Sequence, residues 1–190
     1  MSSTAHPRNG PETRARIIDA AQRVFAEKGY SAAGLREIAK DAGVVSSLIV
    51  KYYLTKANLF EEALVASLSE NQLLPDKTGF GEKLVQSVLN PGMNITAPAM
   101  IALSLGDEEA RMVAAKVARE RILKPVSEWI GGTHGQARAE ITLLLSVGFA
   151  IFHRYMETLE SPEQRTVVQE WIANTIQRTV ENDDGASAFD

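Results

Sequence analysis

Apolar residues recur along most of the chain at the three- and four-residue spacing of amphipathic helices. The first such stripe runs from Ile17 to Phe25, and Gly29 predicts its end because glycine readily adopts the left-handed cap. Glycine and proline divide the rest into further segments, with a kink expected at Pro125. No stretch alternates strictly between apolar and polar residues, so we predict an all-α fold. The predicted helices cover about 35–42, 46–53, 55–68, 82–89, 98–105, 107–130, 137–159 and 162–180.

Helix-capping residues precede several of these segments. Ser46 or Ser47 is suited to cap the third helix, and Thr55 is suited to cap the fourth. Ser161 opens a capping box with proline at the first turn and Gln164 at the third position.

Two consecutive predicted helices near the C-terminal end are apolar over most of their surface. A helix that is apolar nearly all round is buried on two sides, as the segment 137–159 would be. Paired with their symmetry mates, two such helices form a four-helix bundle, which predicts a homodimer. A monomer with an unusually apolar core is the alternative. The residues predicted to form the dimer interface are Ile141, Leu145, Gly148, Val168, Trp171 and Ile172.

Two short helices joined by a glycine-containing turn are predicted within LREIAKDAGVVSSLIVKYY. This arrangement is typical of a DNA-binding helix-turn-helix, although an ordinary helical hairpin gives the same pattern. Small hydroxyls suit base edges or phosphates, lysine suits phosphate or guanine, and tyrosine suits phosphate. The residues that the second helix would present to DNA are Ser46, Ser47, Leu48, Lys51 and Tyr52.

The block from Thr13 to Leu64 resembles the N-terminal domain of TetR-family transcriptional regulators. The resemblance includes FAEKGY from Phe25, LREIA from Leu35, Ala42-Gly43-Val44 and Lys56. It implies a homodimer whose recognition helices enter successive major grooves of a near-palindromic operator. It also implies a helical C-terminal domain that binds a small-molecule effector. The DNA contacts that it implies are Arg36, Ser46, Ser47, Lys51, Tyr52 and Lys56, the last with the N-terminal amides of the fourth helix.

The chain departs from the usual family pattern at three positions. Ala33 stands where a threonine usually caps the second helix. Either Ser31 supplies that cap or the start of the helix is looser. Val50 replaces a tyrosine that touches the DNA backbone, a contact that Tyr52 is expected to supply. Leu54 replaces a glycine or another small residue.

The resemblance and the helix pattern together predict the domain organisation. We expect disordered tails at 1–9 and 181–190, a helix-turn-helix domain at 10–54 and a helical ligand-binding and dimerisation domain at 55–180. The polar N-terminal residues lack the apolar core of a signal peptide. The longest uncharged apolar stretch, Ile141 to Phe152, is too short to cross a bilayer. We therefore expect a cytoplasmic protein with no membrane partner.

The distribution of charge along the chain favours nucleic-acid binding more than the net charge does. The content of 45% apolar and 23% charged residues is ordinary for a globular protein, and the net charge of −4 disfavours nucleic acid. Residues 1–60, however, carry nine bases and five acids, a charge of +4, whereas 61–190 carry eleven bases and nineteen acids, a charge of −8. The basic third coincides with the predicted helix-turn-helix.

The chemistry of an enzyme is not visible in this chain. It has no cysteine, its three histidines have no metal-ligand spacing, and it lacks a phosphate-binding loop and a nucleophile elbow. Adjacent acids such as Glu61-Glu62 do not converge on one point of a helix. We predict that the protein is not an enzyme and needs neither metal nor cofactor.

Flexible and aromatic side chains in the C-terminal two thirds predict a pocket for an apolar or aromatic effector. Each of these side chains, taken alone, is more often part of a core, and the acidic balance weakly favours a cationic ligand. The candidate lining residues are Met93, Met100, Met112, Trp129, Phe149, Phe152 and His153. The predicted function is a repressor released from operator DNA by an effector. The alternatives are a non-specific architectural DNA-binding protein and a helical protein-binding adaptor.

Overall fold

A computed structural model describes residues 10–69, 76–93, 95–156, 158 and 160–181. These residues contain ten α-helices and no strand, which confirms the all-α prediction. The helices are α1 (Gly10–Ala32), α2 (Leu35–Asp41), α3 (Ser46–Tyr53), α4 (Lys56–Ser69), α5 (Phe80–Leu89), α6 (Ala97–Ser104), α7 (Glu108–Val117), α8 (Lys124–Ile130), α9 (Gly135–Ala150) and α10 (Pro162–Glu181). The predicted tails at 1–9 and 181–190 lie outside the described residues apart from Glu181. Glu181 belongs to α10 and not to a tail.

The first helix bends at Gly29 where the sequence predicts its end. Gly29 has φ +74° and ψ 170°, and helical geometry resumes through Ala32. A Cβ at Gly29 would lie 3.2 Å from both the Cβ and the carbonyl oxygen of Leu103 in α6. Glycine therefore supplies both the left-handed backbone and the close approach of α6.

The predicted N-terminal cap is present at the fourth helix but not at the third. Val45 occupies the position before α3 and makes no side-chain cap, so Ser46 and Ser47 lie within the first turn. The prediction for α4 is confirmed, because Thr55 Oγ1 accepts a hydrogen bond from the backbone N–H of Asn58 at 3.1 Å.

The kink expected at Pro125 takes the form of wider turns that precede the proline. Residues Ala118–Leu123 are π-helical and join α7 to α8 in one continuous run. Pro125 has no N–H to offer the carbonyl of Arg121 in the α-helical pattern. The N–H of Lys124 donates to the carbonyl of Arg119, five residues back.

The largest apolar core joins α1–α4 to the helices that follow them. It extends into α6 and α7 through Met100 and Ala110. The Phe60 ring of α4 makes edge contacts with Phe25 and Tyr30 at centroid distances of 5.1 and 5.4 Å. Any movement of α6 or α7 therefore acts on the same core that holds the helix-turn-helix.

A second core forms between α5, α9 and α10, around Val85, Phe149 and Ile176. The backbones of α5 and α10 approach closely at Gly81, where a Cβ would lie 2.0 Å from the carbonyl oxygen of Ala173. This contact sets the position of α5, which forms one wall of the cavity described below.

The helix formed by α9 and its π-helical extension spans Gly135–Met156. By length and composition alone it could cross a membrane, and 33% of its most apolar 18-residue segment is buried within the molecule. Core and interface helices of water-soluble proteins pass the same test, so this property does not by itself indicate a membrane span.

Candidate DNA interface and effector cavity

The helix-turn-helix presents one side of α3 to solvent. Gly43, at φ +65°, provides the left-handed residue of the turn between α2 and α3. Ile49 and Tyr53 are buried against the core, whereas Val50 is 48% exposed on the opposite side of α3. The exposed side thus lies where a recognition helix would meet a major groove.

The residues predicted to contact DNA fall into three groups in the structure. Arg36, Ser47 and Lys51 are exposed. Ser46, Leu48 and Tyr52 are half-buried at the edges of the same surface. Lys56 lies elsewhere and is described below. Their contacts with DNA stay predictions.

The first helix places two further cations beside the helix-turn-helix. The Arg14 guanidinium lies 5.2 Å from the centroid of the Tyr52 ring, within cation–π range. A guanidinium nitrogen of Arg16 is 3.9 Å from the position that a Cβ on Gly43 would take. The sequence pattern does not single out these arginines, because exposed arginines on an amphipathic helix usually form a solvated face.

Exposed apolar side chains flank α3 at both ends. Val45 precedes the helix and Leu54 follows it, and Leu54 has φ +64°, which is unusual for a branched residue. Their exposure adds apolar surface at the two ends of α3.

Lys56 lies at the junction between the helix-turn-helix and the C-terminal helices. Its Nζ donates to the carbonyl oxygen of Ser31 at 3.4 Å and lies 4.5 Å from the Tyr30 ring centroid. Burial lowers the pKa of Lys56, while Asp107 and Glu109 act in the opposite direction. A contact between Lys56 and phosphate would require the ammonium to leave these partners.

Two hydrogen bonds connect the end of α1 to the start of α7. The Tyr30 hydroxyl donates to Glu109 Oε2 at 2.5 Å, and Ser31 Oγ donates to Asp107 Oδ2 at 2.9 Å. Burial, and then the bond to Glu109, raises the pKa of Tyr30 well above its usual range. Ser31 therefore does not cap α2. The residue before α2 is Gly34, with no side-chain cap, which agrees with the alternative of a looser helix start.

A cavity of about 520 Å³ lies between α4, α5, α6, α9 and the run that joins α7 to α8. This volume is within the range of small-molecule pockets. Most of the lining residues are apolar. The lining comprises Ser67, Leu68, Phe80, Lys83, Leu84, Ser87, Val88, Met93, Ile95, Ala97, Pro98, Ile101, Arg121, Ile122, Pro125, Val126, Ala139, Thr142, Leu143, Ser146, Val147 and Ala150.

Only one of the predicted effector contacts, Met93, lines this cavity. Met100 is buried in the core of the N-terminal helices, and Met112 is 62% exposed on α7. The Trp129 ring packs on Phe80 at a centroid distance of 4.7 Å, so it supports the cavity wall from behind.

The other three predicted contacts line a different cavity. Phe149, Phe152 and His153 surround a space of about 480 Å³ together with Glu160 and Arg165. Helical periodicity identifies an inward side but does not distinguish a side chain that lines a cavity from one that fills a core.

Arg154 holds the segment that carries Met93. Its guanidinium donates to the carbonyl oxygens of Val88, Asn90 and Met93 at 3.1, 2.8 and 3.1 Å. The neighbouring Tyr155 hydroxyl donates to the carbonyl of Ile95. The π-helical extension of α9 thereby positions the loop at the cavity wall. The sequence offers no signal for this role, since an arginine near a helix end usually balances the helix dipole.

The residues predicted to form a dimer interface point in different directions. Leu145, Val168 and Ile172 pack in or against the second core, and Ile141 is half-buried. Trp171, in contrast, is 58% exposed.

One apolar stripe on α9 and α10 faces outward, and we call it the α9/α10 face. A Cβ on Gly148 would meet no atom within 4 Å. Large apolar side chains on these two helices and on the π-helical extension of α9 are exposed; they are Leu144, Phe152, Val167 and Trp171. Leu144 and Val167 are therefore stronger interface candidates than the core-facing members of the predicted set.

Within the described part of the chain, no group of three or more His, Asp or Glu side chains is arranged to hold a metal ion.

Curated relatives resemble part of this chain. The HTH-type transcriptional regulator AcrR of Shigella flexneri is 42% identical over 62 residues, which cover 33% of this chain and 28% of that protein. The HTH-type transcriptional regulator TtgR of Pseudomonas putida is 35% identical over 88 residues, 42% of each chain. The matches therefore span less than half the length of these curated relatives.

Solved structures share the fold over nearly the whole chain. NalD of Pseudomonas aeruginosa, described as the secondary repressor of the MexAB-OprM multidrug efflux pump, has a TM-score of 0.59 at 18% identity. That match covers 90% of this chain and 97% of NalD. A transcriptional regulator from Rhodococcus sp. Rha1 has a TM-score of 0.59 at 24% identity and covers 87% of this chain and 96% of that one.

Two family models match consecutive parts of the chain. The model of bacterial regulatory proteins of the tetR family matches residues 17–63, which contain the helix-turn-helix. The model of the tetracyclin repressor-like C-terminal domain matches residues 78–180, more than half of the chain. Together with the shared fold, these matches show that the chain belongs to the TetR family of bacterial regulatory proteins.

Proposed function

We propose that the protein is a sequence-specific DNA-binding transcriptional repressor that a small-molecule effector releases from its operator. The observation that carries the proposal is the connection between the core that holds α3 and the 520 Å³ cavity. One continuous helical run from Glu108 to Ile130 contacts the α1–α4 core at its beginning and lines the cavity further along. The names of AcrR, TtgR and NalD, which describe regulators or a repressor, support the same function.

The proposed DNA interface combines phosphate contacts with base contacts. Exposed Arg36 and Lys51 provide cations on the helix-turn-helix, and Arg14 and Arg16 extend the basic surface along α1. Phosphate contacts fix register, whereas side chains such as Ser47 can reach base edges. We also propose that the DNA-binding domain ends at residue 54 and that the ligand-binding and dimerisation domain begins at residue 55.

We propose that the functional unit is a homodimer joined through the α9/α10 face. TetR-family regulators act as dimers, and a near-palindromic operator requires two recognition helices. Burial of exposed apolar side chains such as Leu144 and Trp171 would supply the favourable free energy of association.

Release from DNA would follow from movement of α7. An effector that contacts Ile122 or Arg121 touches the π-helical turns at the end of this helix. The beginning of α7 is bonded to Tyr30 and Ser31. A shift of α7 would therefore change the orientation of the DNA-binding helices. TetR regulators are generally not enzymes, and a bacterial DNA-binding regulator of this kind would act in the cytoplasm.

The test is a titration of the protein against a DNA fragment from its own promoter region and a scrambled fragment, at several salt concentrations. We expect tighter binding to the promoter fragment. Lys51→Ala should weaken binding and reduce the salt dependence by about one counterion per protomer. Lys124→Ala, which changes an exposed lysine of α8, is the matched control and should bind like the wild type. Equal affinity for both fragments would indicate architectural binding and refute the proposal.

A further inference from the structure

The charged side chains of the effector cavity all have one sign. Among the described lining residues, Lys83 and Arg121 are the charged ones, and no aspartate or glutamate is present. We propose that the cavity binds an amphipathic organic anion, with an apolar body inside and a carboxylate or similar head group at Lys83 and Arg121. Binding of the anion does not depend on the proposed function; only its role as the effector rests on that function.

The apolar walls account for the body of the ligand. Sixteen of the twenty-two lining residues are apolar, including Phe80, Leu143 and Val147. Apolar surface removed from water contributes about 25 cal/mol per Å². A ligand that is polar throughout would lose its hydration against these walls without compensation.

The hydroxyl groups in the cavity do not provide donors for a neutral polar ligand. Each hydroxyl already donates its proton to a backbone carbonyl in its own helix, at 2.6–2.9 Å, so it offers only lone pairs. These residues are Ser67, Ser87, Thr142 and Ser146. The cationic side chains are therefore the natural donors to a ligand.

The two cations lie where a head group could remain partly hydrated. Lys83 is on the first turns of α5 and Arg121 is on the π-helical turns, and both are exposed. Lys83 Nζ donates to the carbonyl of Thr78 at 3.0 Å, which uses one of its three protons. Charge-assisted hydrogen bonds to a carboxylate are stronger than bonds between neutral groups, and a partly hydrated site limits the desolvation cost.

The positive charge of the cavity lining also contradicts the cationic ligand that composition weakly favours. Residues 61–190 carry a charge of −8, which favours a cationic ligand when only the sequence is considered. The acids of the described residues do not line the cavity. An organic cation would instead meet two like charges, Lys83 and Arg121, on the cavity lining.

The position of Arg121 links recognition of the head group to DNA release. The π-helical turns that carry Arg121 precede Pro125 and continue directly from α7. The start of α7 bonds to the end of α1 through Glu109. An anion bound at Arg121 would therefore act on the helix that contacts the DNA-binding head.

The test is isothermal titration calorimetry of the full chain with three ligands of equal chain length: decanoate, 1-decanol and decyltrimethylammonium. We expect decanoate to bind at least about tenfold more tightly than the other two, about 1.4 kcal/mol. Arg121→Gln and Lys83→Gln should each reduce the preference for decanoate severalfold. Arg119→Gln, an exposed arginine on the same π-helical turns outside the lining, should retain it.

Several results would overturn the proposal. These are equal or tighter binding of the alcohol or the cation, no measurable binding of decanoate, and an unchanged preference in both glutamine variants. If Arg121→Gln fails to fold, Lys83→Gln and the wild-type ligand series decide the question. Adding each ligand to the complex of protein and operator DNA distinguishes the proposal of an anionic ligand from the proposal of a repressor. Release by decanol alone would refute the anion and retain the repressor, whereas absence of operator binding would refute the repressor and leave the calorimetric result valid.

Discussion

Substitution of Gly81 by alanine tests how closely α5 and α10 must pack. The new Cβ would lie 2.0 Å from the carbonyl oxygen of Ala173, whereas real Cβ contacts are essentially never shorter than 3.0 Å. The helices must therefore separate by about 1 Å at this point. Because the obstacle is backbone, rotation of a side chain cannot relieve the overlap.

Separation of the helices also disturbs the hydrogen bonds of Gln177. Its Oε1 accepts from the backbone N–H of Gly81 at 3.0 Å, and its Nε2 donates to the carbonyl of Lys77 at 2.8 Å. Overpacking costs about 1–3 kcal/mol, and each weakened hydrogen bond costs about 1 kcal/mol. The better helix propensity of alanine returns at most about 1 kcal/mol. We expect a net loss of about 2–4 kcal/mol in the free energy of unfolding.

The assay is thermal unfolding followed by far-UV circular dichroism. For a chain of this size, each kcal/mol lowers Tm by about 2–4 °C, so Gly81→Ala should lower Tm by roughly 4–16 °C. Gly106→Ala is the control, because a Cβ at Gly106 meets no atom within 4 Å and its φ is not left-handed. The control should melt like the wild type. A Tm for Gly81→Ala equal to that of the control would refute the close packing of α5 on α10.

Three further predictions concern the dimer, the junction and the core. Trp171→Glu should convert the proposed dimer to a monomer in sedimentation velocity by placing a charge on the α9/α10 face; a persistent dimer would exclude this face. Hydrogen bonds from the Ala110 N–H and then from Ser31 lower the pKa of Asp107, so its stabilisation is present above the ordinary aspartate pKa and is lost as pH falls through the lowered value. The Tm difference between the wild type and Asp107→Ala should therefore shrink in acid, and a difference that grows in acid would contradict this assignment. Phe60→Ala should cost about 3–5 kcal/mol in urea unfolding, and a cost near that of an exposed alanine substitution would show that this ring does not support the core.

The junction between the DNA-binding helices and α7 gives a physical basis for coupling. The core is continuous across the predicted boundary, so the helix-turn-helix is not an independent head on a flexible linker. Close packing transmits displacement, because interiors tolerate little change of volume. Tyr30 and Ser31 add directional bonds to this contact.

Local sequence features determined most helix positions and the helix-turn-helix. The predicted bounds of α3 agree with the structure at Ser46 and Tyr53, and the Thr55 cap is confirmed. These features depend on residues a few positions apart, where helical periodicity, capping and glycine conformation act directly. The bend at Gly29 and the π-helical turns before Pro125 are local features too, although the sequence alone predicts a helix end at the first and a kink at the second.

Only the tertiary structure decided what each helix surface meets. The sequence places Met93 and Met100 alike on apolar helix or loop surfaces, yet the first lines a cavity and the second fills a core. The sequence likewise predicts a phosphate contact for Lys56 but not its packing on the Tyr30 ring. Periodicity specifies which side of a helix avoids water, but contacts between distant segments determine whether that side meets a core, a ligand or a second subunit.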